Sequence, residues 1–468
     1  MLNKNLFILF FLTGAFCFSQ NKQILYNYDE IPQSLLLNPA TEIQSKLYVG
    51  VPLLSGVHLN AGISGITAYD LFAPDGVNFN NKVRDAIYQM GSNDVISSNL
   101  QMDIINVGFE NKNPYNKVFY SFGIYQEIDF FMNWPRDPAL LAYEGNINRI
   151  GQPFDLSHVA VEAEVLTVYH FGISKKIDKK LTVGARAKIY SSAYNINSTR
   201  NSGKFTTSLG TNNVYTHRID TDMQFQSSGF PLIEDIEEDD FEYDPVSHIK
   251  KSMFLGGNLG LGLDLGLTYH LSEKLTLTGS VLDVGFIRQS KSPQSYSFKG
   301  DYTFEGFEFV FPEVVDVGGQ LNDYWQDLKD ELENMYYKDN NAYTTWRPIK
   351  FNGSIEYKFG IPYTEDCDCL FDDDVYMNAI GAHIFMVNRP TAPQAALTVF
   401  YTRRLFNFLT AKATYTVDKF SYTNVGFGVS FNYGNFNFYT LADNLLGYQN
   451  LADTHSVSAQ IGFNYMMQ

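Results

Sequence analysis

Twelve residues at the C-terminal end, 456–467, restrict the fold of this chain more than any others. Val457, Ala459, Ile461, Phe463, Tyr465 and Met467 alternate with Ser456, Ser458, Gln460, Gly462, Asn464 and Met466. Successive side chains of a strand point to opposite faces, so one face is apolar and the other polar and small. The sequence stops on this strand, with no segment after it to cover the apolar face. In water such a face invites aggregation. In a bilayer it is at home, provided the sheet closes on itself and leaves no unpaired edge.

The same two-residue period recurs upstream. Leu181, Val183, Ala185, Ala187 and Ile189 oppose Thr182, Gly184, Arg186, Lys188 and Tyr190. Leu259, Leu261, Leu263, Leu265 and Leu267 oppose Gly260, Gly262, Asp264 and Gly266. Three more such stretches begin near Phe351, Leu409 and Val425. The runs reach about ten residues, the length of a membrane strand. A soluble sandwich would also alternate, but it would have to bury every apolar face against a second sheet. The 38 Phe and 31 Tyr against 3 Trp suit strands and membrane-interface belts. A mean hydropathy of -0.18 is no objection, because barrel strands are apolar on one face only.

Connection lengths give the topology. Residues 175–180, 271–274, 404–407 and 433–435 are tight turns, whereas 65–100, 132–158, 191–251 and 289–345 are long. Outer-membrane barrels have short periplasmic turns and long external loops. With the first strand near 46–63 and sides alternating, every tight turn falls on one side and the four longest loops on the other. The expectation is an all-β transmembrane barrel of about 14 antiparallel strands, within 12 to 16, with both termini periplasmic. Strand-like pieces within 191–251 then form an external hairpin. The acidic stretch 361–374 falls on the periplasmic side. Residues 78–90 and 320–337 are helix-like, the latter with Leu321, Tyr324, Trp325, Leu328 and Leu332 at helical spacing. Both lie in external loops, packing on the barrel mouth or offering a helix to a partner.

The N-terminus divides into two parts. Residues 1–19 read as a signal peptide: Lys4, an apolar core over 6–18, then Ser19 before the cut. Cys17 does not make a lipoprotein signal, because Phe16 occupies a position that needs a small residue. Residues 20–45 do not alternate, and Pro32 and Pro39 exclude a central strand or a helix interior. Water-facing Leu35, Leu36 and Leu37 would be costly. This segment is therefore expected inside the barrel or across its mouth as a plug, with the barrel spanning 46–468.

The candidate chemistry is sparse. Arg186, Lys188, Asp264, Glu356, Lys358 and Lys412 fall on the polar side of their strands and therefore in the lumen. Carrying both signs, they read as a paired filling network or a selectivity surface for a charged solute. Gly257, Gly260, Gly262 and Gly266 lie mid-strand, not at a strand-to-helix turn, so they are no phosphate cradle. They would instead let a plug approach the wall. Cys367 and Cys369 sit in an acidic loop, where a reducible disulfide, a metal site and idle thiols all remain open, the disulfide leading. The acidic run 233–244 lacks the spacing of a calcium loop and reads as solvated surface. The eight histidines are scattered and none stands in a nucleophile motif. No cofactor is implied. A net charge of -17 argues against nucleic acid.

Leu35–Ala40, a leucine run into Asn-Pro-Ala, resembles the start of many Bacteroidota outer-membrane barrels, among them the PorP/SprF-like proteins of type IX secretion and gliding. Gly260–Ile287 (GLGLDLGLTYHLSEKLTLTGSVLDVGFI), Tyr302–Gly306 and Leu441–Leu446 resemble an uncharacterised Bacteroidota barrel family bearing a domain of unknown function. The likeness covers nearly all of the mature chain. The architecture is also similar to FadL-like barrels, which have fourteen strands and an N-terminal plug. Leu37, Asn38 and Pro39 would then be the plug motif. The resemblance implies a non-enzymatic outer-membrane component with lipid around it and secretion or surface-assembly proteins as partners. The alternative is a FadL-like channel for hydrophobic or small solutes.

Overall fold

The computed structural model describes residues 22–111, 117–210, 215–231, 244–305, 334–360 and 376–467. The signal segment, Cys367 and Cys369, nearly all of the acidic run 233–244 and most of the helix-like stretch 320–337 lie outside the described residues.

The alternating segments form one closed antiparallel barrel of 14 strands. The first strand, β1, comprises Leu47–Gly50 and Val57–Ile63. It is followed by β2 (Val95–Glu110), β3 (Val118–Asn133), β4 (Ala160–Lys176), β5 (Leu181–Leu209), β6 (Asn258–His270) and β7 (Leu275–Gln289). Then come β8 (Tyr343–Trp346 and Lys350–Phe359), β9 (Asn378–Val387), β10 (Gln394–Phe406) and β11 (Leu409–Val417). The last three are β12 (Asn424–Tyr433), β13 (Phe436–Asp443) and β14 (Ser456–Met467). Closure is made by β14, which pairs with β13 on one side and with both halves of β1 on the other. The C-terminal alternation thus forms the seam of the cylinder.

The tight turns read from the sequence and both ends of the barrel sequence gather at one rim, the turn end, from which the longer connection between Phe359 and Asn378 also leaves. The four longest connections gather at the opposite rim, the loop end, with the short connections 388–393 and 418–423. At the β12–β13 turn Gly434 takes φ +56, which a tight hairpin turn requires. At the loop end, α1 (Ala68–Phe72) and α2 (Phe79–Gln89) follow β1, and Asn78 caps α2 as the helix-like reading of 78–90 requires. Helices α3 (Arg136–Glu144) and α4 (Pro245–Met253) occupy two further long loops. The far half of β5 leaves the barrel and pairs with Tyr215–Ser228, which pairs in turn with Gln294–Glu305 and then Tyr336–Asp339. This sheet is the external hairpin expected within 191–251, enlarged by two strands from the next long loop. One reading is corrected here: Tyr336 and Tyr337, placed at the end of a helix, are strand residues opposite Phe298 and Ser297. Cross-strand pairing overrides the local helical spacing.

The outer wall is apolar. Leu259, Leu261, Leu263, Leu265 and Leu267 are each more than 40% exposed although they form one continuous strand face. Toward the turn end the belt ends in aromatic rings: Phe109, Tyr120 and Phe171; Tyr357, Phe359 and Tyr401; Phe406, Phe408 and Phe431; Phe436, Phe463 and Tyr465. Such a girdle marks a membrane interface. No described helix is long and apolar enough to cross a membrane.

β1 is broken at residues 51–56, where Leu53 (φ +64) and Leu54 bulge outward and are exposed. The wall stays shut there. Val51 and Leu54 bond β14 at Phe463 (3.0 and 2.9 Å), Gly56 bonds Asp103 of β2 (2.8 Å), and the Tyr439 hydroxyl donates to Ser55 O (2.9 Å) behind them.

Candidate functional site

The candidate site is the lumen, occupied at two levels. The lower level is the N-terminal segment from Lys22, which runs inside the barrel to Lys46 at the turn end. Its only regular piece is one 3-10 turn, Pro32–Leu36, started by Pro32. The three leucines separate there. Leu35 is buried; Leu36 packs on the inner-wall cluster of Tyr125, Leu166, Val168, Tyr190 and Ile287. Leu37 turns to the cluster of Ile24, Leu25, Tyr28, Ile31, Tyr439 and Leu441.

Turns within the segment satisfy the carbonyls of Lys22, Tyr28, Ile31, Ser34 and Asn38, and the wall supplies donors to several of the others. Arg186 donates to Leu35 O and Leu36 O, the latter at 3.2 Å. Ser280 donates to Leu37 O (2.6 Å) and Thr268 to Ala40 O (3.0 Å). Lys412 donates to Tyr26 O and Asn27 O, its ammonium 4.2 Å from the Phe400 ring centre. Asn38 donates to Leu267 O (3.3 Å) and folds its own oxygen onto Ala40 N (3.0 Å). Tyr26 stacks on His383 at 4.1 Å.

Pro39 reaches the wall because two glycines are opposite each other there. Gly184 of β5 pairs with Gly266 of β6. A Cβ on Gly184 would lie 2.2 Å from Pro39 O, and one on Gly266 would lie 2.1 Å from Asn38 Oδ1. The expectation that the whole β6 glycine row admits the plug is corrected: only Gly266 does. Gly262 lies beneath the Tyr190 ring, and Gly260 faces the backbone of β7 at Phe286.

The upper level is a ladder of ion pairs. Asp264 holds Arg186 (3.1 Å) and Lys188 (2.9 Å), and Lys188 also meets Asp283 (2.6 Å). Asp283 meets Lys350 (2.9 Å), and Lys350 meets Glu127 (3.4 Å). Arg347 joins Glu127 (2.9 Å) and Glu164. Beyond the end of β9, Arg389 grips Asp129 with two nitrogens (2.6 and 3.1 Å), reaches Glu162 at 3.2 Å, and lies over the Phe131 ring. Arg347 and Arg389 thereby tie the β8–β9 side of the barrel to β3 and β4 on the other side.

The six lumen charges named from sequence do not form one group. Arg186, Lys188 and Asp264 belong to this ladder and are buried. Glu356, Lys358 and Lys412 lie nearer the turn end. There Lys358 is 3.6 Å from Glu356 and 3.8 Å from Asp29. A cavity of about 50 Å³ opens beside them, lined also by Glu42, His270 and Thr276. Glu42 lies 3.1 Å from His270, whose other nitrogen is 3.0 Å from the Thr276 hydroxyl. This chain fastens the plug's exit to β6 and β7.

Sequence reading missed most of the ladder: Glu127, Asp129, Glu162, Glu164, Asp283, Arg347, Lys350 and Arg389. A signal was present. Glu127 and Asp129 alternate within Ile124–Phe131, and Glu162 and Glu164 within Ala160–Leu166. Alternate carboxylates in an apolar strand mark its inner face. No group of three or more metal-ligating side chains converges among the described residues.

Fold, apolar belt and polar interior define a transmembrane β-barrel of the outer-membrane type. The chain belongs to a family of unknown function (DUF5723), matched over residues 39–443. No curated protein matches it. Among solved structures, a Pseudomonas aeruginosa FadL homologue is similar at 10% identity and TM-score 0.45, covering 97% of this chain and 100% of its own. The Ralstonia pickettii toluene transporter TbuX is similar at 10% identity and TM-score 0.41, covering 94% and 95%. The translocator domain of the Neisseria meningitidis autotransporter NalP follows at 7% and 0.31, covering 92% and 91%.

Proposed function

We propose that this protein is a non-catalytic, plugged barrel of the outer membrane, with both termini in the periplasm. Its external loops and sheet engage protein partners of a secretion or surface-assembly system of the type IX kind. The observation that carries this reading is the filled bore. A segment bonded to the wall through its backbone closes the turn end, and arginine bridges cross the lumen above it. A passage would have to break buried ion pairs, which is costly. Two measurements test it. In planar bilayers the intact protein shows no stable open-pore steps. From native membranes it copurifies with a fixed set of proteins; isolation always alone would defeat the partner role.

A second reading, a channel for hydrophobic or small solutes, draws support from the break in β1, where Leu53 and Leu54 face the lipid beside the plug. It requires the plug and the wall at 51–56 to move together. Solute uptake by vesicles carrying the protein, abolished by a disulfide locking the plug to β1, would favour it.

A further inference from the structure

We propose that the β4–β5 turn is a docking surface for phospholipid phosphate at the inner leaflet of the membrane. The turn reads Lys175-Lys176-Ile177-Asp178-Lys179-Lys180, four lysines in six residues of a chain whose net charge is -17. It stands where the lipid belt ends. On β4 the outward residues toward this rim are Phe171 and Ile173, both exposed, and Lys175 is next on that face. Its stem continues the apolar strip, which places its ammonium at headgroup depth, as long basic side chains do at membrane interfaces. Ile177 is 53% exposed within the turn itself. An apolar side chain set among lysines suits a surface that meets acyl chains and phosphates together.

The turn is held in place, so little ordering is needed on binding. Ile177 N bonds Leu181 O at 2.8 Å, and the Asp178 carboxylate accepts from the amides of Lys180 and Leu181 at 2.7 and 2.9 Å. The one acid in the turn is thus committed to the backbone. Lys176 points inward toward Glu42, 3.9 Å away, which leaves Lys175, Lys179 and Lys180 exposed to solvent. The next hairpin is held against the first through His270 N and Lys180 O at 2.7 Å, but its turn carries Glu273 beside Lys274 and adds no net charge, so the basic surface is that of the β4–β5 turn.

The choice of phospholipid over other phosphates rests on the periplasmic placement of this rim. The test does not depend on whether the protein has partners or conducts. Protein in mixed micelles of detergent with phosphatidylglycerol or phosphatidylcholine is examined by native mass spectrometry for retained lipid. A lysine near an anionic surface contributes about fivefold in affinity, so K175Q/K179Q/K180Q should lower phosphatidylglycerol retention about a hundredfold at low salt, and less as salt rises. Phosphatidylcholine retention should not change. A variant of the external sheet, K204Q/K299Q, should keep the wild-type preference. Heat-modifiable gel migration verifies that each variant is folded. Equal retention of the two lipids by the wild type, an unchanged preference in the triple variant, or an equal loss in the sheet variant would each overturn the proposal. If lipid A phosphate, offered in a third arm, is retained in place of phosphatidylglycerol, the phospholipid assignment falls and the rim faces outward.

Discussion

Gly184→Val gives a test of the plug in which the sign of the effect decides. In an ordinary strand, valine is better than glycine by up to about 1 kcal/mol. If β5 faced only water at this point, the variant would be as stable as the parent or more so. Here the added Cβ would stand 2.2 Å from Pro39 O, 2.3 Å from Pro39 C and 2.6 Å from Ala40 N, all backbone atoms. Ordinary contact begins near 3.5 Å, so the plug must retreat by about 1.3 Å. That distance breaks the Thr268–Ala40 and Asn38–Leu267 bonds, now 3.0 and 3.3 Å. Overpacking costs about 1–3 kcal/mol and each lost hydrogen bond about 1, giving a destabilisation of about 3–5 kcal/mol. Gly279→Val is the control: a Cβ at Gly279 has its nearest neighbours at 3.8 Å, and this variant should be neutral or stabilised. Denaturant unfolding of refolded protein in vesicles, followed by loss of the fast-migrating gel band, measures both. A Gly184→Val protein within 1 kcal/mol of wild type would refute the seating of Pro39–Ala40 against β5.

Three further outcomes are expected. Arg347→Met should destabilise by about 3–5 kcal/mol in the same unfolding assay, because Glu127 and Glu164 both lose their shared buried cation; a loss under 1 kcal/mol would mean that the bridge is not formed. Deleting residues 22–40 should raise bilayer conductance only slightly, because the upper bridges remain, whereas the deletion combined with Arg347→Met and Arg389→Met should give open-pore steps; full conductance from the deletion alone would contradict closure at two levels. Burial would push the Glu42 carboxyl up, but hydrogen bonds from His270 and Thr182 and the charge of Lys176 outweigh it and hold it down at about 2. A carboxyl lowered from its usual 4.5 stabilises fully above that value and loses its contribution as pH falls toward 2. Proteolysis of the plug from the turn end should therefore quicken across that acid window in wild type and be insensitive there in Glu42→Gln.

The barrel was legible because a membrane strand declares itself locally. The period of two in β5, β6 and β14 needs no distant partner to be seen, and the contrast of tight and long connections orders the strands around it. The external sheet was only half legible: Tyr215–Ser228 could be foreseen as a hairpin strand, but Tyr336–Asp339 joins through pairing with Tyr296–Phe298, which no local pattern encodes. The candidate site was legible as a list of inward charges and illegible as a geometry. Lys188 and Asp264 lie on strands paired to each other, yet Lys188 bridges on to Asp283, a residue at φ +61 in a bulge where the pairing of β7 shifts register. A bulge turns a side chain away from the face that strict alternation would assign it. Arg347 and Arg389 lie where no strand period applies, between the two halves of β8 and just beyond β9.

The two levels of closure also differ in what they recognise, and this changes the meaning of the lumen charges. A buried segment with two prolines and a single 3-10 turn cannot satisfy all of its own carbonyls, so the wall must satisfy the rest. Arg186 and Lys412, read from sequence as part of a polar network or a selectivity surface, spend donors on carbonyls of residues 26, 27, 35 and 36. Polar side chains of the plug also engage the wall: Gln33 exchanges two hydrogen bonds with Asn464 (2.8 and 3.1 Å), and Asn27 accepts from Ser354 (2.7 Å). The plug is therefore held partly by the path of its chain and partly by side chains such as Gln33, and it is fixed in size where Asn38, Pro39 and Ala40 lie on Gly184 and Gly266 and where Ile24 lies on Gly426 and Gly428. A cation engaged to a carbonyl in this way is a structural tie. It follows that charge reversal at Arg186 should first unseat the plug, and any change in ion selectivity would come after that loss.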